Sequence, residues 1–270
     1  MNDSVIVTVY VVIDDIMREF GHSSHKLAQM SDAQVLTIAV IAALYFQNHH
    51  ERALCVMQGM GYVKQRLSVS RFNRRVHKLA GWLDGILSIL SEIFAQGEVF
   101  VLDSMPVPVC KRVRAWRCRK VRGRDYCGYC AAKKEKFFGW RLHLVCTPEG
   151  LPAAFVLLPA AYHDLTPVHE LTVNLPTGAC VYTDKGYNSA ADEASILKAT
   201  GVRLIPIRKS NMTPHDWADE YDLRQYRSRI ETINSQLESM GLERLHARTN
   251  LGFEIKVHAS LLALAFTNLH

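Results

Sequence analysis

The stretch Ala179–Asn188, ACVYTDKGYN, decides how the second half of this chain folds. Its apolar start reads as a buried strand, and the run stops on Asp184 before Lys185, Gly186 and Tyr187 turn the chain into the helical pattern NSAADEASILKAT. An acid at the end of so apolar a run is costly unless it caps a turn or meets a cation. Working backwards, VFVLD ends on Asp103 in the same way, and WRLHLVCT and AAFVLLPA follow as strands around the turn signal PEG. The segment DLTPVHELTVNL predicts a helix with Pro167 in its first turn. Working forwards, VRLIPI is a fifth strand and DLRQYRSRIETINSQLESM a long helix. Three antiparallel strands followed by alternating helix and strand predict an α/β fold, a mixed five-stranded sheet flanked by helices.

The 270 residues are 49% hydrophobic and 21% charged, which is globular composition with enough apolar mass for a sizeable core. The strongest apolar runs, VIVTVYVVI and LLALAF, are too short for a membrane helix, and the first has neither a basic leader nor a cleavage site. These features predict a cytoplasmic protein with no membrane partner. Seven irregularly spaced cysteines argue for reduced thiols over a disulfide framework.

The net charge of +6 is unevenly placed. Cys110–Arg141 holds 12 Lys or Arg against Asp125 and Glu135, and Lys64–Lys78 holds six with no acid. Two basic islands on a near-neutral chain point to a polyanion such as nucleic acid, although solvated surface charge is the plainer explanation of either alone.

Residues 1–97 read as an all-helical domain. DAQVLTIAVIAALYF carries an apolar stripe behind the candidate caps Ser31 and Asp32. GMGYVKQRLSVSRFNRRVHKL outlines a turn and a second helix, capped by Ser68 or Ser70, with Phe72, Val76 and Leu79 inward. Arg71, Arg74, Arg75 and Lys78 are then expected outward, as in a helix-turn-helix that lays its second helix on DNA. A helical bundle with a basic surface fits the pattern equally. Residues 98–270 are expected to form the sheet domain, with a basic, cysteine-containing insertion at about 110–138.

The first and fourth strands of such a sheet can lie side by side, so Asp103 and Asp184 could meet at one edge. A third acid is expected from the helix that crosses that edge. Ile230, Ile233, Leu237 and Met240 mark its buried stripe, and Glu231 lies beside the stripe with Arg227 and Asn234 on its own face; Glu238 is on the same row, more remote and secondary. Hard oxygen ligands of this kind suit Mg²⁺ or Mn²⁺, and two such ions can drive in-line displacement at a phosphodiester. Taken singly, a strand-end Asp caps a turn and a helix Glu beside an Arg is an intrahelical pair; the three together, in this order, are more specific.

At this point the chain resembles the DDE transposases and retroviral integrases with an RNase H-like core. VLDS, YTDKGY and YRSRIETINSQLE are similar to the three acidic motifs of bacterial insertion-sequence transposases. SVSRFNRRVHKL and FFGWRLHLVCTPEGLPAAFVLLPAAYHD resemble the insertion sequence 982 family most. The resemblance implies that Asp103, Asp184 and Glu231 bind two Mg²⁺ ions, with Mn²⁺ able to substitute. It also implies cleavage at transposon ends, strand transfer into target DNA, and action as a homodimer or larger assembly on double-stranded DNA. Tyr226, Arg227 and Arg229 match the tyrosine and arginine positions before the glutamate, which makes both arginines candidate DNA contacts. Many relatives carry a lysine seven residues after that glutamate, where this chain has Glu238, so DNA-end contact must come from Arg244, Arg248 or the 110–141 tract. His163 and Asp164 match a His-Asp pair of such enzymes, with Asp164 equally explained as a helix cap.

Cys127 and Cys130 form a CxxC that could hold zinc, but a second CxxC is missing and unligated thiols are the default. Trp116, Tyr126 and Tyr129 among the arginines suit stacking on exposed bases. KVHASLLALAFTNLH reads as an apolar core helix. The rival functions are an RNase H-like nuclease or resolvase that cuts without joining, and a non-catalytic DNA-binding protein derived from a transposase.

Overall fold

In a computed structural model of the chain, residues 2–65, 67–131, 133–210 and 212–269 are described. Arg66, counted above in the basic block, lies outside them. In chain order they form helices α1 (Asp3–Glu19), α2 (Asp32–Phe46), α3 (His50–Gly59), α4 (Val69–Lys78) and α5 (Ala80–Phe94), then strands β1 (Val99–Lys111), β2 (Cys127–Cys130), β3 (Glu135–Cys146) and β4 (Pro152–Pro159). There follow α6 (Val168–Thr172), β5 (Cys180–Thr183), α7 (Ala190–Thr200), β6 (Arg203–Pro206), α8 (Trp217–Ser239) and α9 (Asn250–Asn268). No helix among the described residues is long and apolar enough to cross a membrane.

Contacts divide the chain into two units: Met1–Leu90 with Leu237–His270, and Ser91–Gln236. The expected split at 97/98 is therefore displaced, and the C-terminal helix belongs with the N-terminal helices instead of the sheet. The reason is the character of α2. Ten of its 15 residues are buried, so its apolar surface is not confined to one face and it needs neighbours on several sides. α1, α3 and α4 supply some of them, and α9, almost wholly apolar from Ala259 to Phe266, supplies the rest. Buried Asn48 ties this arrangement together, donating through Nδ2 to Met240 O and Ser260 Oγ, both at 3.0 Å.

Local signals act as expected in the helical unit. Ser31 and Gln34 form a reciprocal capping box at the start of α2, and Ser68 Oγ caps α4. α4 is strongly two-faced: Phe72 and Val76 are fully buried, while Arg71, Arg74 and Lys78 are exposed. Arg75 departs from the expected outward row. Its guanidinium donates to Met30 O at 2.6 Å and pairs with Asp32, which His22 also contacts at 3.0 Å. The helix turns that position toward α2, where an acid is waiting.

The second unit contains a mixed sheet of six strands among the described residues, in the order β2-β3-β1-β5-β6, with β4 also on β3. β1 pairs antiparallel with β3 and parallel with β5, and β5 pairs parallel with β6. The sixth strand, beyond the five expected, is β2 inside the basic insertion. It forms because β1 and β3 run on past the sheet body as a long hairpin, leaving a free β3 edge for β2 to pair with. α6 and α7 cover one face, around Phe100, Leu102, Val181, Ile196 and Leu204. α8 covers the other, where Leu223 and Tyr226 pack on Tyr182 and Ile205.

Because Arg75 and His22 together hold the Asp32 carboxyl below its ordinary value despite burial, the cluster contributes stability above about pH 4 that is lost as Asp32 protonates on acidification. Arg75→Ala is expected to cost about 2 kcal/mol in urea denaturation at neutral pH, with the difference shrinking toward pH 3. A loss within a few tenths of a kcal/mol would show that the pair contributes nothing.

Candidate active site

The site begins with one register. Leu102 pairs with Thr183 across the parallel β1–β5 ladder, so the next residues, Asp103 and Asp184, leave neighbouring strands side by side. Parallel neighbours lie about 4.8 Å apart. Odd-numbered β1 residues and even-numbered β5 residues face α8, which places both acids on the α8 side. Asp184 ends β5 as expected. Asp103 does not end β1, which continues to Lys111, so it is a mid-strand carboxylate where a strand end was expected.

Burial and its neighbours make Asp103 an unusual acid. Loss of water pushes its carboxyl up to about 6, and the nearby charges of Asp184 and Asp164 push the same way. Opposing this, the Ser104 N–H donates to Oδ1 at 2.7 Å and Asn234 Nδ2 donates to Oδ2 at 2.8 Å. Asn234 comes from α8, which is fixed on the sheet by Tyr226 stacked on Tyr182 with ring centroids 5.0 Å apart and by the Tyr182 hydroxyl donating to Asp222 at 2.8 Å. Tyr226 is thus a docking residue for the helix.

Glu231 is not in this cluster. It lies one turn before Asn234, is exposed, and pairs with Arg227 at 3.5 Å. Arg229 is likewise exposed on α8. Among the described residues no three Asp, Glu, His or Cys side chains form a ready metal cage. The donors that are assembled still fit a hard cation. Two adjacent carboxylates, one of them desolvated to about 6, with a third acid close enough to add repulsion, form a site that positive charge would relieve.

Residues that sequence reasoning did not place lie on the opposite face of β1. The Ser104 hydroxyl donates to Asp164 Oδ1 at 3.0 Å, and Arg141 Nη1 donates to Ser104 Oγ at 3.2 Å while lying 3.5 Å from Asp164 Oδ1. Next to them, His143 Nδ1 lies 3.1 Å from the Tyr187 hydroxyl. Burial pushes His143 down to about 4 and, with the charges of Asp164 and Asp103, Tyr187 well up, so both are neutral. The signal was present in WRLHLVC: Arg141 and His143 share one face of an otherwise apolar strand, and only a polar network beneath it explains them. Asp164 was equally expected as a helix cap, but α6 begins after Pro167 with no side-chain cap, and Asp164 serves this network instead.

The turn after Asp184 is held from the same side. Lys185–Tyr187 form a 3-10 turn, and Tyr187 is buried in the sheet core. Gly186 was expected to turn the chain sharply, but the constraint is space, because a Cβ there would sit 2.6 Å from Asp164 Oδ2. The CxxC also resolves. Cys127 and Cys130 lie three apart on regular strand β2, so their thiols leave opposite faces and do not form a zinc pair. All seven cysteines are free thiols.

The family described as Transposase DDE domain matches residues 95–266, more than half of the chain, and the chain belongs to it. The protein is a DNA transposase, an enzyme of the DDE class; domains of this class generally use divalent metal ions. Comparison with curated proteins found no match. A solved pre-cleavage Mos1 transpososome aligns with 87% of this chain and 87% of its own at 8% identity and a TM-score of 0.22, a likeness that carries no argument.

Asp103 supplies a test of the site's electrostatics. Its folded value lies above the ordinary 3.8, so the folded protein retains a proton that the unfolded chain releases, and stability falls as pH rises from about 4 through 6. With chelator present, Asp103→Asn is expected to raise stability by about 1–2 kcal/mol near pH 8 and to change it little near pH 4. Equal effects at both pH values would show that ionisation of Asp103 is not what strains the fold.

Proposed function

We propose that this chain is a bacterial insertion-sequence transposase of the insertion sequence 982 type, which cleaves the ends of its element and joins the freed 3′ hydroxyl to target DNA. The observation that carries the chemistry is the Leu102–Thr183 register, which sets Asp103 beside Asp184 under a helix already reaching Asp103 through Asn234. The family type rests on the motifs VLDS, YTDKGY and YRSRIETINSQLE and on the segments around them.

In this reading Asp103, Asp184 and Glu231 hold two Mg²⁺ ions, with Mn²⁺ able to replace them. Glu231, exposed on α8 and paired with Arg227, would have to leave that partner to serve as a ligand. Divalent cations, when held there by these carboxylates, would supply activation of the attacking hydroxyl and neutralisation of charge on the leaving oxygen. The chain's own contribution is positional: Asn234 and the Ser104 N–H fix the Asp103 carboxylate, and the Ser104–Asp164–Arg141 network supports the strand beneath it. Released from Glu231, Arg227 is available to DNA phosphates, as is Arg229.

The sheet unit carries catalysis, and the helical unit binds element ends through the outward α4 residues Arg71, Arg74 and Lys78. Action on two ends calls for a dimer or larger assembly, working in the bacterial cytoplasm. Arg75, paired with Asp32, has no place in the DNA surface.

Asp103→Asn, Asp184→Asn and Glu231→Gln are each expected to reduce both end cleavage and strand transfer to background while leaving mobility-shift binding intact. The substrate is donor DNA carrying the inverted repeats that flank the reading frame, assayed with Mg²⁺. Wild-type rates in any variant remove that residue from the ligand set, and an inactive Glu238→Gln beside an active Glu231→Gln would move the third ligand by two turns. Cutting without joining in the wild type would make the protein a nuclease.

A further inference from the structure

A cleft of about 750 Å³ opens within the helical unit between α4 and the turn that leads into α9. Exposed Arg74 and Lys78 stand on its α4 wall, and exposed His246 and Arg248 on the other. The two walls approach closely at Gly252, where an added Cβ would lie 3.2 Å from His77 Nε2 and a neighbour would have to give by a few tenths of an ångström. Lys256 fixes the second wall by donating to His246 O at 2.8 Å and Asn48 O at 2.9 Å. Burial first, and then the neighbouring Arg52 and Lys256, hold His49 below its ordinary value. Glu51 is the acid among the described lining residues.

Two further observations define the occupant. His50, buried on the floor, uses Nδ1 toward Asn73 Oδ1 at 2.7 Å, while its Nε2 has no partner among the described residues. The cleft is thus lined by polar side chains down to its buried layer. Its lining contains no Phe, Tyr or Trp among the described residues, and the rings it does contain are the smaller imidazoles of His49, His50, His77 and His246. Cations on two facing walls, Arg74 and Lys78 against Arg248, suit the phosphate backbone of a duplex.

We propose that this cleft grips the backbone of duplex DNA from both sides, with Arg74 and Lys78 on one wall and His246 and Arg248 on the other. The inference rests on the proposed role of the helical unit in DNA binding, and it extends that surface from one helix to two chain segments remote in sequence.

The test uses full-length wild-type protein in EDTA with a fluorescein-labelled random-sequence duplex, titrated by anisotropy at several salt concentrations. Arg74→Ala and Arg248→Ala are each expected to weaken binding by about tenfold and to make the slope of log K against log salt shallower by about 0.9. Arg18→Ala, which removes an exposed cation of the same unit outside the cleft, should change neither. Thermal melting checks each fold, and Arg248→Gln replaces Arg248→Ala should the latter unfold. The inference is overturned if the Arg248 variants bind like wild type while Arg74→Ala is weakened, if Arg18→Ala loses as much as either, or if a single strand of the same length binds as tightly as the duplex. Wild-type protein that binds no duplex at all would instead defeat the DNA-binding role of the helical unit, and with it this inference; cleavage by the aspartate site is scored separately.

Discussion

The site depends on a short parallel ladder between β1 and β5. Four residue pairs, ending at Leu102 and Thr183, bring two segments some 80 residues apart to the spacing of adjacent strands. Asp103 and Asp184 follow directly, and neither can move without disturbing strands whose opposite faces are sunk in the core around Phe100, Leu102 and Val181. Rigid elements hold reacting groups more closely than loops do. The cost is electrostatic. Two carboxylates side by side, with Asp164 near, repel each other, and Asp103 answers by holding its proton to about 6.

The surroundings are arranged to sustain that unfavourable placement. From one side α8 contributes Asn234, a neutral donor that stabilises the carboxylate of Asp103 without neutralising the site. From the other, Arg141 supplies positive charge through Ser104 and Asp164, one layer below the acids. The paired acids therefore keep net negative character, and the Arg141 guanidinium goes to support. His143 and Tyr187, kept neutral by burial, fill the layer without adding charge.

The helical unit is organised by a different constraint, the need to surround α2. An N-terminal bundle alone leaves part of that helix uncovered, and α9 completes it, with Asn48 recording the closure in hydrogen bonds to Met240 and Ser260. A consequence reaches the surface: bringing α9 to α4 also brings His246 and Arg248 opposite Arg74 and Lys78. Core packing and the charged cleft thus share one cause.

Much was legible in the sequence because its signals are local. Period-two and period-3.6 apolar patterns located the main strands and helices; Ser31 and Ser68 cap helices where a cap was expected; and two acids, each at the end of an apolar run, marked the candidate site. Charge counts drew attention to α4 and to the basic insertion. What tertiary structure alone decided are relations between distant residues. The inward turn of Arg75 depends on Asp32 being across from it, the assignment of α9 to the helical unit depends on how much of α2 is buried, and the sixth strand depends on an unpaired edge of β3. The acids illustrate the division best: residue type and strand position told that Asp103 and Asp184 belong together, whereas the rotation of α8 that presents Asn234 and leaves Glu231 beside Arg227 is set by the stacking of Tyr226 on Tyr182, a contact that no local pattern encodes.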